Sequence, residues 1–331
     1  MNNKTDIVRK MYTKYPYPYP DDTKGGLDDI AIYFKFFERE NNVNYRKARI
    51  LDAGCGTGHR TIEIAKAYPE AEIIGIDMTE NSLNIARKQA EELNLSNIKF
   101  YEQNLLEPIN LEKFDVIVST GVIHHLENPK LGLTNLMSVL KDDGMILLWL
   151  YGYIGEFDRM MNRELVKTLM KSSTDFEDGM NIIEQLRLKV KSDRYGNSYA
   201  NNEITQKVQQ SIDADALIHE IVNFYRVDDI IDLFKGENRK YFFLDGITLQ
   251  KQDTLRAVLD DSAYNDDEMK YTNINEFLTE ELISRYLSLS NIERCRILEL
   301  LYKPVGYTVL GWHKRPELGE RINNGIIEID L

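Results

Sequence analysis

The sequence predicts an α/β fold: a seven-stranded, mostly parallel sheet preceded by an N-terminal arm and interrupted by helical insertions. Three observations carry that prediction. Short apolar runs alternate with amphipathic ones through five strands between residues 49 and 152. A loop with three glycines follows the first of those strands. Two further apolar runs, 241–249 and 305–314, come after long helical stretches and read as strands returning to the same sheet.

Each element follows from its residues. RILDAG (49–54) is a strand ending in glycine, and TGHRTIEIAKAYP (57–69) puts Ile62, Ala65 and Ala67 at helical spacing with Pro69 just past the end. AEIIGID (71–77) is a buried strand, and TENSLNIARKQAEELNL (79–95) is a helix with Thr79 as its N-cap. NIKFYEQN (97–104) alternates like a strand, and FDVIVST (114–120) is a buried one. PKLGLTNLMSVLKDDG (129–144) reads as a helix closed by glycine, and MILLWLYG (145–152) as the fifth strand. Strands separated by helices in this way build βαβ units.

Beyond residue 152 the rhythm changes. Residues 156–235 read as mostly helical, with a polar, poorly periodic section at KSDRYGNSYANN (191–202). YFFLDGITL (241–249) is a strand, an acidic helical stretch follows up to Leu301, VGYTVLGWHK (305–314) is the last strand, and the rest is a polar tail. The expected organisation is an arm or lid over 1–48, a core over 49–155, an insertion over 156–240 shaping an acceptor pocket, and late core strands over 241–331 around a helical insertion, 250–302. In that last insertion Phe277, Leu278, Leu282, Ile283, Tyr286 and Leu289 suggest a core or dimer face, so a monomer or homodimer is expected.

Composition narrows the function classes. The 331 residues carry a formal charge of −13, which repels a phosphate backbone, and no basic patch offsets it, so no nucleic-acid partner is expected. The most apolar run, MILLWL (145–150), is too short to span a bilayer, and the start MNNKTDIVRK lacks the apolar segment of a secretory signal. Cys55 and Cys295 give neither a metal spacing nor a disulfide framework, and free thiols suit a reducing compartment. A soluble, cytoplasmic, metal-free protein is expected.

The chemistry starts at LDAGCGTGH, Leu51 to His59. A dinucleotide loop would read GxGxxG, with the pyrophosphate at the helix N-terminus. Here the third glycine comes one residue early, and Asp52 lies two residues before the first. A carboxylate there repels a pyrophosphate and suits a cationic amino group. Asp77, at the end of the second strand, stands where an acid accepts two hydrogen bonds from a ribose diol. A ligand with a ribose, a cationic amino-acid end and no phosphate is S-adenosyl-L-methionine.

In motif content and motif order the chain resembles the class I S-adenosylmethionine-dependent methyltransferases, most strongly over residues 49–152, and so implies a Rossmann-like core and that cofactor. The resemblance implies that Asp52, Gly54, Cys55, Gly56 and Gly58 wrap the methionine part, and that Asp77 takes the ribose with Met78 beside the adenine. Asn104, followed by Leu105 in EQNLLEP, stands where the family usually has an acid for the adenine amino group. An amide oxygen accepts the same bond. Ser119 and Thr120 open STGVIHHLENP, which matches the family segment beside the methyl group.

Methyl transfer to a hydroxyl or a protonated amine needs a base. His124 and His125 are the nearest candidates, with at most one facing the site; both also fit a packing role. His219 and Tyr225, in DADALIHEIVNFYRVDDI (213–230), are candidates for the acceptor cavity, and this segment is similar to one in a subgroup of bacterial methyltransferases. The stretch YPYPYP (15–20) is stiffened by its prolines. Related methyltransferases often carry such a segment before the core, which implies a lid over the cofactor, with Tyr12 and Tyr15 as its contacts. The expected activity is methylation of an O or N nucleophile of a small molecule or natural-product intermediate. A protein or peptide acceptor, or an inactive cofactor-binding partner subunit, remains as the alternative.

Overall fold

The computed structural model describes residues 4–20, 34, 38, 43–188, 190, 206–239, 241–245, 277–313 and 326–328. The section 191–202, the end of the predicted strand 241–249 and most of the early part of 250–302 lie outside the described residues. Strands β1 (Arg49–Ala53), β2 (Glu72–Asp77), β3 (Ile98–Glu102), β4 (Phe114–Thr120), β5 (Leu140–Tyr151), β6 (Tyr241–Asp245), β7 (Gly306–Trp312) and β8 (Ile326–Glu328) join one sheet in the order β3-β2-β1-β4-β5-β7-β6-β8. The first five run parallel to one another. The pairs β5–β7, β7–β6 and β6–β8 are antiparallel.

The sheet therefore has eight strands among the described residues, where the sequence suggests seven. The additional one, β8, comes from the tail read as polar. At three residues it is too short to show an alternating pattern, and pairing with the edge of β6 holds it. Residues 140–144 are a second correction, since they open β5 instead of closing a helix. Leu140 pairs with Phe114, and Phe114 N donates to the Val139 carbonyl at 2.8 Å, so pairing with β4 takes the backbone groups a helix would need.

Strand period explains why both faces are covered. Leu51, Ile74, Ile117 and Ile146 belong to one buried cluster, and their neighbours Ile50, Ile73, Val116 and Leu147 belong to another on the opposite face. Each such side chain, fully buried, stabilises the fold by roughly 1.5–3 kcal/mol. Helices α1 (Lys4–Lys14), α2 (His59–Ala67), α3 (Glu80–Glu92), α4 (Pro129–Ser138), α5 (Phe157–Leu169), α6 (Phe176–Gln185) and α7 (Gln206–Asp213) precede the late strands, and α7 continues as a π turn over Ala214–Ile218. Then come α8 (Val227–Phe234), α9 (Glu280–Leu287) and α10 (Asn291–Tyr302). Ile7 and Met11 of α1 pack with Val166 of α5, Phe176 and Ile183 of α6, and Ala216–Ile218, so the arm rests on the insertion.

The late helices only partly match the expected apolar face. Tyr286 packs against the core beside the buried Cys295 and Leu298 of α10, whereas Phe277 and Leu282 are exposed in the single chain. Among the described residues no helix is long and apolar enough to cross a membrane.

Candidate active site

Four loops leave the carboxyl edge of β1–β4 and meet in one pocket, the position where open α/β sheets bind ligands. The loop after β1 supplies Gly54, Cys55 and Gly56 to its wall, and Asp52 lies beneath them. Asp77 and Met78 come from the end of β2, Asn104 and Leu105 from the loop after β3, and Thr120 and His125 from the segment after β4. The arm adds Val8, Tyr12, Tyr17 and Pro18 to the lining.

Gly56 shows why this loop needs glycine. Its φ is +53°, and an added Cβ would overlap the carbonyl oxygen of Tyr17. The same approach is fastened by Thr57 Oγ1, which donates to the Pro18 carbonyl at 2.8 Å. A second tie comes from the insertion, where Ser211 Oγ donates to the Pro16 carbonyl at 2.5 Å. Gly58 serves a different end. It lies outside the pocket lining, and a Cβ there would come within 2.5 Å of Ala86 Cβ, so it sets the spacing between the loop and α3.

The two acids differ in their partners. Asp77 accepts from Gly56 N at 2.9 Å and from Thr79 N at 2.8 Å. Burial still pushes its carboxyl upward, against those two bonds. Asp52 accepts from Thr61 Oγ1 at 2.6 Å and is 2 % exposed. Burial pushes it up to about 6, opposed by that hydrogen bond and by the Arg60 charge. A buried carboxylate raised in this way gains from a cationic group brought beside it.

His124 and His125 form a short 3₁₀ turn, Ile123–His125, and only His125 reaches the pocket. His124 is fully buried with its ring 4.1 Å from that of Tyr151, and burial holds its pKa well below the ordinary histidine value. His125 Nδ1 lies 2.9 Å from the Ile221 carbonyl, and its Nε2 lies 3.7 Å from Asp215 Oδ1. Burial lowers its pKa, and the Asp215 charge works against that.

Several expected positions fall elsewhere. Tyr15 sits outside the pocket lining and packs with the cluster of α1, α5, α6 and the π turn, because α1 runs on to Lys14 and turns Tyr15 toward the insertion. Tyr17, two residues on, takes the place at the pocket. Ser119 is fully buried and donates to the Ala53 carbonyl at 2.8 Å, which ties β4 to β1. His219 also lies behind the lining, with its ring 3.9 Å from that of His125 and its Nδ1 accepting from Ile221 N at 3.0 Å. Tyr225 belongs to the core: it bridges to Gly152, and its N donates to the Tyr151 carbonyl at 2.8 Å. Its hydroxyl has no hydrogen-bond partner among the described residues. Tyr225 is not among the residues that line the pocket.

Sequence reasoning missed Tyr151, which the β5 pattern marks only as core, and Asp215. The Asp215 carboxylate accepts from the Tyr12 hydroxyl at 2.6 Å and lies 3.3 Å from the Tyr151 hydroxyl. Asp215 stands in the same DADALIH segment as His219. Its partners Tyr12, His125 and Tyr151 are far away in the chain, so spacing alone could not pair them.

A parallel α/β core with this acid-glycine-acid pocket at its carboxyl edge defines a class I S-adenosylmethionine-dependent methyltransferase. The chain belongs to the methyltransferase domain family, whose model matches residues 45–210, half of its 331 residues. It is 31% identical over 189 residues to an uncharacterized protein of Synechococcus sp., a match covering 54% of this chain and 45% of that protein. It is 34% identical over 106 residues to the malonyl-[acyl-carrier protein] O-methyltransferase of Bacillus cereus, covering 32% of this chain and 38% of that one. The ubiquinone biosynthesis O-methyltransferase of Actinobacillus pleuropneumoniae is 36% identical over 105 residues, covering 30% and 43%. The chain thus spans less than half the length of each of these relatives. The structure of PKMT2 from Rickettsia typhi shares the fold, with a TM-score of 0.62 at 14% identity over 89% of this chain and 55% of that one.

Proposed function

We propose that this methyltransferase transfers a methyl group to an O or N nucleophile of a small molecule held between the arm and the carboxyl edge of the sheet. The observation that carries this reading is that one pocket is lined both by the cofactor-type residues and by the arm, with His125 on its wall. In this reading Asp77 accepts from the ribose diol and Asp52 faces the ammonium of the cofactor. The main chain at Gly54–Gly56 meets the methionine part, and Met78, Asn104 and Leu105 meet the adenine. Tyr12, Tyr17 and Pro18 form the lid, which excludes water and aligns the acceptor. When bound, the cofactor supplies an electrophilic methyl carbon, whose bond to sulfur breaks as the bond to the acceptor forms. In this reading His125, on the pocket wall, takes the acceptor's proton. Two free, buried cysteines, Cys55 and Cys295, suit work in a reducing cytoplasm.

The cofactor assignment is tested by calorimetry with S-adenosylmethionine on the full chain and on Asp77→Ala. Loss of two hydrogen bonds to a charged group, about 1.5–3 kcal/mol each, predicts an affinity drop of at least about a hundredfold. Unchanged affinity would sink the assignment. For the acceptor, methyl-labelled cofactor is incubated with cell extract, which is then split into metabolite and protein fractions. Label in the metabolite fraction supports the small acceptor, and label confined to protein supports a peptide instead.

A further inference from the structure

Three elements converge on one carboxylate behind the acceptor side of the pocket. Asp215, on the π turn after α7, accepts from Tyr12 of α1 at 2.6 Å, lies 3.3 Å from the Tyr151 hydroxyl of β5, and stands 3.7 Å from His125 Nε2. Tyr12 and His125 line the pocket, and Asp215, 6 % exposed, lies outside the lining and beside both. The tautomer of His125 follows from its other side. The Ile221 carbonyl 2.9 Å from Nδ1 can only accept, so Nδ1 carries the proton and Nε2 presents a lone pair.

We propose that Asp215 is the positioning residue of the acceptor subsite: while the Ile221 carbonyl fixes the ring through Nδ1, Asp215 stands beside Nε2 and supplies the counter-charge when Nε2 takes a proton. The inference rests on the methyl-transfer reading above. The acceptor's proton passes to Nε2, and the electron pair it leaves behind forms the new bond to the methyl carbon. The pair from the broken carbon–sulfur bond stays on sulfur, and the imidazolium gives its proton to water once the products leave. The substrate class this arrangement serves is a nucleophile that arrives protonated, a hydroxyl or an ammonium.

The other groups around His125 sharpen the role. Arg159 and Arg163 of α5 oppose its protonation; Arg159 pairs with Glu156 at 2.7 Å, and Arg163 donates to the His219 and Glu220 carbonyls. The rings of His124 and His219 lie 4.3 and 3.9 Å away, and burial keeps both neutral at pH 7. Against these, Asp215 is the negative charge that favours the imidazolium.

The test is a histidine titration by ¹⁵N NMR on the full chain, with His125 among the five histidines assigned through His125→Gln. The Nδ1–H tautomer is expected in the wild type. Asp215→Asn keeps the shape and removes the charge, and should lower the His125 pKa by about one unit or more. Tyr12→Phe removes the bond that shares that charge, and should raise it. No shift in Asp215→Asn, or a downward shift in Tyr12→Phe, overturns the proposal; if one variant fails to fold, the other still decides. The titration needs neither cofactor nor acceptor. Failure here with S-adenosylmethionine binding intact removes Asp215's role alone, while absent binding removes the reading beneath it.

Discussion

The hydroxyl of Thr57 donates to the carbonyl of Pro18 at 2.8 Å, joining the glycine loop of the core to a segment 39 residues earlier in the chain. Thr57 is 1 % exposed, so the bond is made away from competing water. The arm and the loop are thereby parts of one site, and changes on either side of the contact should be felt in the pocket.

Gly56→Ala tests that contact from the core side. The residue holds a left-handed φ of +53°, and the new Cβ would meet the Tyr17 carbonyl. The backbone cost alone is about 1–2 kcal/mol, and displacement of the arm adds to it. Affinity for S-adenosylmethionine should fall at least about tenfold by calorimetry, and limited proteolysis should cut more readily within residues 4–20. Wild-type affinity with an unchanged cleavage pattern would show that the arm does not close the site.

Asp52 gives two pH dependences of opposite sign. Burial holds its carboxyl at about 6, above the ordinary 3.8 that the unfolded chain approaches. Between these values the folded state binds the extra proton, so this group's contribution to stability is full below about 4 and is lost as pH rises through about 6. Its size is at most about 3 kcal/mol. In denaturation experiments without cofactor, Asp52→Asn should therefore gain on the wild type from pH 4 to 7. In the proposed binding mode cofactor affinity runs the other way, because an ammonium facing Asp52 needs the ionised carboxylate. Below pH 6 the wild type should lose about tenfold per unit by calorimetry, and Asp52→Asn should show no such slope.

Glu299 offers a stability prediction far from the chemistry. It is 1 % exposed and accepts from Arg226 Nε at 3.0 Å and Nη2 at 2.7 Å, from Val227 N at 2.8 Å, and from the Tyr307 hydroxyl at 2.5 Å. It thus places an anion at the N-terminus of α8 and links that helix to β7. Glu299→Ala leaves the buried Tyr307 hydroxyl and Val227 N unmatched, at about 1–3 kcal/mol each, while the exposed Arg226 turns to water, so it should cost about 2–5 kcal/mol in chemical denaturation. Cofactor affinity of the folded fraction should stay at the wild-type level, since none of these residues lines the pocket. A loss below 1 kcal/mol would contradict the network.

What the sequence determined by itself is whatever local periodicity and spacing encode. The apolar runs of β1, β2 and β4 and the amphipathic helices between them fix the parallel core, because a strand buried on both faces must read as an apolar run. The glycine spacing and the two acids, Asp52 and Asp77, were legible for the same reason: they lie at strand ends, where the chain order already dictates the neighbours. The start of β5 at Leu140 and the short β8 were not legible, since partner strands decide them and local propensity does not. The acceptor side was decided by tertiary structure alone. Tyr12 and Asp215 are 203 residues apart, and His125 meets Asp215 only because the insertion folds back over the edge of the sheet. Hydrogen bonds across such separations leave no periodic trace in the chain. Thus the sequence could offer His124 and His125 as base candidates and His219 and Tyr225 for the acceptor cavity, while of these four only His125 lines the pocket.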